Sequence, residues 1–576
     1  VDDLKDKLIQ AYNDGSFFEF IHKIYYQDKK EEKILPNLIA GLHNSGEFDI
    51  IELFNSLKNT PEKHDFFTTR HVFEDVLPDL NAPVAEVANC VKHLTLEAGQ
   101  DMAAYMLLPP FREFCQKDRA RTKALFDFAL TNFDEEFDHL STAIEAGANI
   151  DETEYVNQSL ELLNNENETI KQRVIFALGR INYKNKSLLE PVLDSIQKSS
   201  ALSSSDVILA TAMRALFSIT SQSENLETFF IDFLATHSER LDDHYIHTAS
   251  EILFYDGKKV SSNVEPRLLD ICCHTKPENK RTIDNIDYAL ERLLNRNDFV
   301  GCIEFLERFF ELSEYKLSVI AFDSFVRELR NHRETHLSSL LTRWLLSKKI
   351  KLGKCCYDLL RDIDKGISIG FDKSCFPDNS KSVYLFLARK ACGWFFNQPK
   401  TAISLIESII PDAPEDDLDD IQLLIFNPLC ISYPGSIRLR MEKLQKSSQK
   451  RLKDIASNIL SDLEKYQGAV KAALEVNELK PSEQNRHTYL KHHNKLMNES
   501  MKQARSESLF TSLFSESILL YGNKSIHYIH HGEQKTRQEV PLQEISHSIE
   551  LASMFNLDPH GLENMIWQFK AEGCRS

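Results

Sequence analysis

The stretch VIFALGRI, residues 174–181, is apolar enough for a protein core yet carries one glycine and one arginine. Thirty-eight residues later the chain reads AMRALFSI, residues 212–219. With Val174 as an anchor, the offsets +3, +4 and +7, which share one face of an α-helix, hold Ala177, Leu178 and Ile181. From Ala212 the same offsets hold Ala215, Leu216 and Ile219. The pattern recurs down the chain: Ala249 gives Ile252 and Leu253, Ile286 gives Ala289, Leu290 and Leu293, Phe322 gives Phe325, Val326 and Leu329, and Cys356 gives Leu359, Leu360 and Ile363. Asp256, at the +7 place of the third copy, is the misfit.

The anchors at 174, 212, 249, 286, 322 and 356 are spaced by 38, 37, 37, 36 and 34 residues. Between them lie second amphipathic segments such as SLLEPVLDSI (187–196), LETFFIDFLATH (226–237), FVGCIEFLERFFEL (299–312) and HLSSLLTRWLLS (336–347). Each period thus holds two helices and two turns. A helical hairpin cannot cover its own apolar face and must stack on its neighbours. The reading is a mainly α protein, a right-handed α-solenoid of helical hairpins with a small C-terminal α+β module.

The stretch LLNNENETIKQRVIFALGRI, with its polar turn NNENE followed by Arg173, Val174, Ala177, Leu178 and Gly179, resembles a HEAT repeat. The likeness is good over this copy and looser across residues 152–365. It implies a curved scaffold that binds other macromolecules, with no inherited active site. An armadillo or tetratricopeptide arrangement also fits a period of 34–38 residues.

The surrounding chain reads as helical too. Residues 1–151 form an N-terminal extension or cap, in which LIQAYNDGSFFEFIHKIYYQD is a helix, a glycine turn and an aromatic helix. A turn-rich insertion, KGISIGFDKSCFPDNSKS (365–382), interrupts the period, and further hairpins are expected over 366–484. In the C-terminal module, 485–576, SILLYGNKSIHYIHH (517–531) predicts a hairpin, RQEVPLQEISHSIEL (537–551) a third strand with alternation at Ile545 to Ile549, and GLENMIWQFKAE a closing helix.

Composition narrows the function classes. The 576 residues carry a formal charge of −19, 42% hydrophobic residues, and only 18 Gly and 18 Pro, which favours ordered helices over disorder or many tight turns. No apolar run approaches the roughly 20 residues of a membrane span, and VDDLKDKLIQAY lacks the pattern of a secretory signal, so a soluble, cytoplasmic location is expected. The eleven scattered cysteines, including the adjacent pairs Cys272–Cys273 and Cys355–Cys356, read as buried thiols.

Charge divides unevenly. After residue 435 there are 20 Lys and Arg against 17 Asp and Glu, and before it 48 against 70. An acidic solenoid suits a protein partner with a basic surface and no membrane. The densest basic block, RLRMEKLQKSSQKRLK, reads as a helix over 438–453 whose Arg438, Arg440, Lys443, Lys446, Lys450, Arg451 and Lys453 either neutralise phosphates together with the C-terminal module, as in a nucleic-acid-associated protein, or form a solvated face. The acidic run Asp412, Glu415, Asp416, Asp417, Asp419 and Asp420 reads as N-terminal helix capping.

If IHYIHH is a strand, His527 and His531 share one face and begin a metal site, the basis of a reading as a metal-dependent effector enzyme; a structural role is the alternative. No phosphate-binding loop, nucleophile elbow or metalloprotease helix is present in the sequence, so no cofactor and no catalytic residue is assigned. The first expectation is a non-catalytic interaction scaffold, or a subunit of a multiprotein complex.

Overall fold

The structure is a computed structural model that describes residues 2–31, 34–60, 65–99, 101–201, 203, 205–363, 366–377, 383–476, 480–507, 514–519, 524–531, 534–541 and 550–574. The chain is predominantly helical and divides into two compact units, Val1–Leu317 with Ala321–Phe325, and Ser318–Ile320 with Val326–Ser576. The boundary falls inside the fifth repeat copy. Among the described residues no helix is long and apolar enough to cross a membrane.

The first unit opens with α1 (Asp2–Asn13), α2 (Phe17–Glu31), α3 (Ile34–Asn44), α4 (Ile50–Asn55), α5 (Phe66–Val76), α6 (Val84–Glu97), α7 (Leu108–Gln116) and α8 (Arg119–Thr131). Gly15 turns the chain between α1 and α2 at φ +69°, a conformation that costs a glycine little. Then come α9 (His139–Ile150), α10 (Glu152–Leu162), α11 (Glu168–Arg180), α12 (Leu189–Ala201), α13 (Asp206–Thr220), α14 (Glu227–Thr236), α15 (Asp243–Tyr255), α16 (Glu265–Cys272), α17 (Lys280–Asn295) and α18 (Phe299–Leu312).

Alternate helices form a ladder: α9 packs on α11, α11 on α13, α13 on α15 and α15 on α17. The helices between them pack on its members, α12 against α13, α16 against α15 and α18 against α17. Val174, Ala177, Leu178, Ala212, Ala215, Leu216, Ile252, Leu253, Ile286, Ala289, Leu290, Phe322, Phe325, Leu359 and Leu360 are all 3% exposed or less.

Polar side chains set where some of these helices begin. Asn167, in the NNENE turn, accepts the N–H of Thr169 at 2.8 Å and of Ile170 at 3.3 Å, satisfying donors that the first turn of α11 leaves unpaired. Buried Arg173 ties α11 to the loop before α9 by donating to the carbonyls of Asp134 and Glu135, with its guanidinium 4.9 Å from the Phe133 ring centroid. Asp287 on α17 accepts the N–H of Ser324 at 2.9 Å and of Phe325 at 2.8 Å, capping the start of α19 (Asp323–Asn331). Asp256 is not a core residue: it caps the C-terminus of α15, its N–H donating to the Ile252 carbonyl at 3.1 Å, and it pairs with Arg214 of α13 at 2.6 Å and with Lys259 at 3.0 Å.

The second unit contains α20 (Ser338–Leu346), α21 (Ile350–Leu360), α22 (Val383–Phe395), α23 (Pro399–Ile409), α24 (Glu415–Leu424), α25 (Pro434–Leu444), α26 (Lys450–Leu474) and α27 (Glu483–Glu507). The insertion that breaks the repeat runs along α23. Hydroxyls of Thr401, Ser404 and Ser408, one helical face, accept the N–H groups of Ile367, Ile369 and Phe371, each at 2.9 Å. The helix thereby supplies the partners that a lone extended segment lacks.

Three antiparallel strands follow in the order β1 (Phe514–Leu519), β2 (Lys524–His531) and β3 (Gln534–Pro541). Ser517 stands opposite His527 and Leu519 opposite Ser525 across YGNKS. The third strand ends at Pro541, and the alternation at Ile545 to Ile549 lies outside the described residues. The chain then returns to the helices of the second unit. Glu550 caps α25 by accepting the N–H of Gly435 at 2.6 Å and of Ser436 at 2.9 Å. After α28 (Met554–Leu557), the closing helix α29 (Pro559–Ala571) packs on α21 and α22.

Candidate protein-docking face

The repeat frame that buries +3 and +4 turns +2 and +6 outward. On α11 these are Phe176 and Arg180, on α15 Glu251 and Tyr255, and on α17 the +2 place is Tyr288. Tyr255 is 70% exposed and Tyr288 48%. The helices α15 and α17 run in parallel register. His247 Nδ1 lies 2.9 Å from Thr282 Oγ1, Asn285 donates to the Ser250 hydroxyl at 3.1 Å, and the rings of Phe254 and Tyr288 meet at 5.2 Å. Glu251 therefore stands one turn before Tyr255 on α15, as exposed Asp284 stands one turn before Tyr288 on α17. His247, 3.5 Å from Glu251, holds that carboxyl below its ordinary range, chiefly through their hydrogen bond. The patch combines carboxylates with exposed tyrosine faces, a surface that takes guanidinium and ammonium groups.

Toward the start of the ladder, α7, α9 and α11 enclose a cleft of about 410 Å³ lined by Tyr105, Leu108, Arg112, Glu145, Phe176 and Arg180, among others. Buried Glu145 accepts from Arg112 and, at 2.8 Å, from Arg180 Nε, while Arg180 also lies over the Phe176 ring at 5.2 Å. Burial is the largest influence on Glu145 and raises its carboxyl, against the pull of the two arginines. These residues come from α7, α9, α11 and the turn before α7, and none of them was singled out from the sequence as a site residue.

The basic block is two helices, not one. Arg438, Arg440 and Lys443 lie on α25, Lys446 in the turn after it, and Lys450, Arg451 and Lys453 on α26. Arg440 forms a two-pronged pair with Glu407, at 2.8 Å from Nε and 2.5 Å from Nη2. Arg451 donates to the carbonyls of Pro411 and Ala413 at 3.0 and 2.8 Å and pairs with Glu415, and Arg438 donates to Gln467 at 2.7 Å. The arginines thus staple helices together, whereas Lys443, Lys446, Lys450 and Lys453 are exposed. In the acidic run, Glu415, Asp416 and Asp417 occupy the first turn of α24, where the helix dipole favours them.

His527 and His531 lie on β2, opposite Gln538 and Gln534 of β3, and their side chains lie outside the described residues. Among the described residues no group of three or more His, Cys, Asp or Glu gathers as a metal site would require. Cys272, Cys273, Cys355 and Cys356 are buried, and burial pushes their thiols up, Cys273 and Cys355 to about 12.

No family model and no curated protein matches the chain. A solved chain, from work on how a conserved phosphorylation switch controls the interaction between cadherin and beta-catenin, is 10% identical and aligns over 75% of this chain and 98% of its own length. The TM-score is 0.19, too low to relate the two arrangements.

Proposed function

We propose that this chain is a HEAT- or armadillo-like solenoid that serves as a non-catalytic scaffold, docking a protein partner with a basic surface. The observation that carries this reading is the pairing of carboxylates with exposed tyrosines on α15 and α17: Glu251 with Tyr255, and Asp284 with Tyr288. An arginine of the partner stacks on a tyrosine and meets the carboxylate one turn away, a combination that a solvated face does not need. The surplus of acids before residue 436 steers such a partner toward this face. Repetition of rungs supplies area, since solenoids gain affinity by summing modest contacts along their length.

The test is affinity purification of the full chain from the cell that makes it, in parallel with a Tyr255→Ala, Tyr288→Ala variant of unchanged thermal stability. A stoichiometric companion retained by the parent chain and lost by the variant supports the reading. A companion held equally by both, or recovery of nucleic acid alone, overturns it.

A further inference from the structure

The second unit contains a pocket of about 480 Å³ whose walls are aromatic: Tyr357 of α21, Trp394 and Phe396 at the end of α22, Phe555 of α28, and Trp567 of α29, with Lys570 of α29 beside them. Two glycines make it. A β-carbon on Gly353 would lie 2.5 Å from Trp394 Cε2, so only glycine lets the indole lie against α21. A β-carbon on Gly393 would lie 2.9 Å from Phe569 Cβ and 3.1 Å from Lys570 N, so only glycine lets α29 approach α22 this closely. The wall is then pinned. Buried Lys390 donates to the carbonyl of Lys570 at 2.7 Å, a cation at the negative end of α29, and Arg389 pairs with Glu572 at 2.9 Å.

Two features of this pocket have no purpose in packing. Trp567 is 56% exposed and Phe555 42%, although both line the concavity, where the Phe555 ring meets only Phe396 edge-on at 6.2 Å among the ring contacts described. The Lys570 ammonium lies 4.9 Å from the Trp394 ring centroid, and among the described residues no carboxylate pairs with it. A half-buried ammonium with only a ring face for company is costly relative to one with a counter-ion. Burial accordingly lowers its affinity for a proton below that of an ordinary lysine. Glu563 also lines the pocket, so one negative charge in a ligand suits it better than two.

We propose that this pocket binds a small planar aromatic monocarboxylate, its ring covering Trp567 and Phe555 and its carboxylate paired with Lys570. The volume lies within the usual range for small-molecule sites, and the balance of apolar walls with one polar anchor is what such sites require. The site is independent of the docking face on α15 and α17, and each proposal stands if the other fails.

Calorimetric titration of the full chain with benzoate, 2-naphthoate and indole-3-acetate, each beside its neutral amide and a phosphate ester of the same ring, tests this. Saturable one-to-one binding is expected for at least one carboxylate, with its amide about tenfold weaker, as loss of a charge-assisted contact predicts. The phosphate ester is expected to bind more weakly because of Glu563. Lys570→Met removes the difference between acid and amide, and Trp567→Ala, at an exposed position, weakens both. No saturable binding, equal binding of acid and amide, or a Lys570→Met variant that still prefers the acid overturns the proposal; tighter binding of the phosphate ester overturns the choice of a carboxylate.

Discussion

Gly179 of α11 faces Ala215 of α13 so closely that a β-carbon on the glycine would lie 2.6 Å from the Ala215 Cα. This contact explains why the stretch at 174–181 carries a glycine inside a helix, where it otherwise costs roughly 1 kcal/mol relative to alanine. Gly179→Ala must push two rungs of the ladder apart, with an expected loss of about 1–3 kcal/mol from overpacking. Gly41, inside α3, has open space around its absent β-carbon, so Gly41→Ala is expected to be neutral or to stabilise by up to about 1 kcal/mol. Denaturant unfolding of the two variants checks the pair. Equal effects would mean that the close approach on α11 does not exist.

The ladder was legible because helical periodicity is a local property: Val174, Ala177 and Leu178 announce a buried face within five residues. The sites were not, because their members are far apart. Arg112, Glu145 and Arg180 meet from three helices, and Trp394 and Trp567 join across a long excursion through α27 and three strands. The break in the basic block was missed for a different reason. QKSSQ contains no glycine or proline, and the turn closes on backbone bonds, Lys446 N–H to the Lys443 carbonyl at 3.2 Å and Ser447 N–H to the Leu444 carbonyl at 2.9 Å, with the Ser447 hydroxyl accepting the N–H of Gln449 at 3.2 Å. The partners of Arg440 and Arg451, Glu407 and Glu415, lie more than thirty residues upstream, so their stapling role left no mark on the block itself.

Asp287 holds the start of α19 through the N–H groups of Ser324 and Phe325, both of them buried with it. Asp287→Ala leaves two donors without a partner in the interior. The expected cost is about 2 kcal/mol, as for loss of a cap combined with buried unsatisfied groups. Asp287→Asn retains one acceptor oxygen and is expected to lose less. Hydrogen exchange gives the local readout: the amides of Ser324 and Phe325 should lose protection in the alanine variant before those of α15 do. Uniform loss across the unit would show that the cap acts on the whole unit and not on α19.

Buried His139 begins α9 inside a ring of Phe111, Phe128 and Phe137, with centroid distances of 6.2, 5.6 and 4.6 Å. Burial disfavours its charged form and brings its pKa from an ordinary 6.5 to about 4. A base depressed in the folded state binds fewer protons there than when unfolded. Its contribution is therefore complete above pH 6.5, shrinks as pH falls through that value, and is gone near pH 4, by about 3 kcal/mol in total. His139→Phe should flatten this part of the stability profile between pH 6.5 and 4, whatever it does to stability at pH 7. An unchanged slope would show that the imidazole reaches solvent when protonated.

Nine of the eleven cysteines are buried, and only Cys375 and Cys574 are partly exposed. For the buried ones, removal from water raises the thiol pKa, to about 12 at Cys115 and about 11 at Cys430, so neither thiolate nor access is available for reaction. Brief treatment of the native chain with N-ethylmaleimide at pH 7 should therefore add two groups by intact mass, and unfolding should raise the number to eleven. Peptide mapping should place the first two at Cys375 and Cys574. Cys574 also carries information on α29, because its sulfur lies 3.8 Å from Lys390 Nζ beside the pinned end of that helix. Releasing the pin with Lys390→Met should speed labelling of Cys574 and leave Cys375, whose sulfur lies 3.3 Å from the Ser339 hydroxyl, unaffected. Rapid labelling of Cys272 or Cys356 in the native chain would contradict the packing of the helices that bury them.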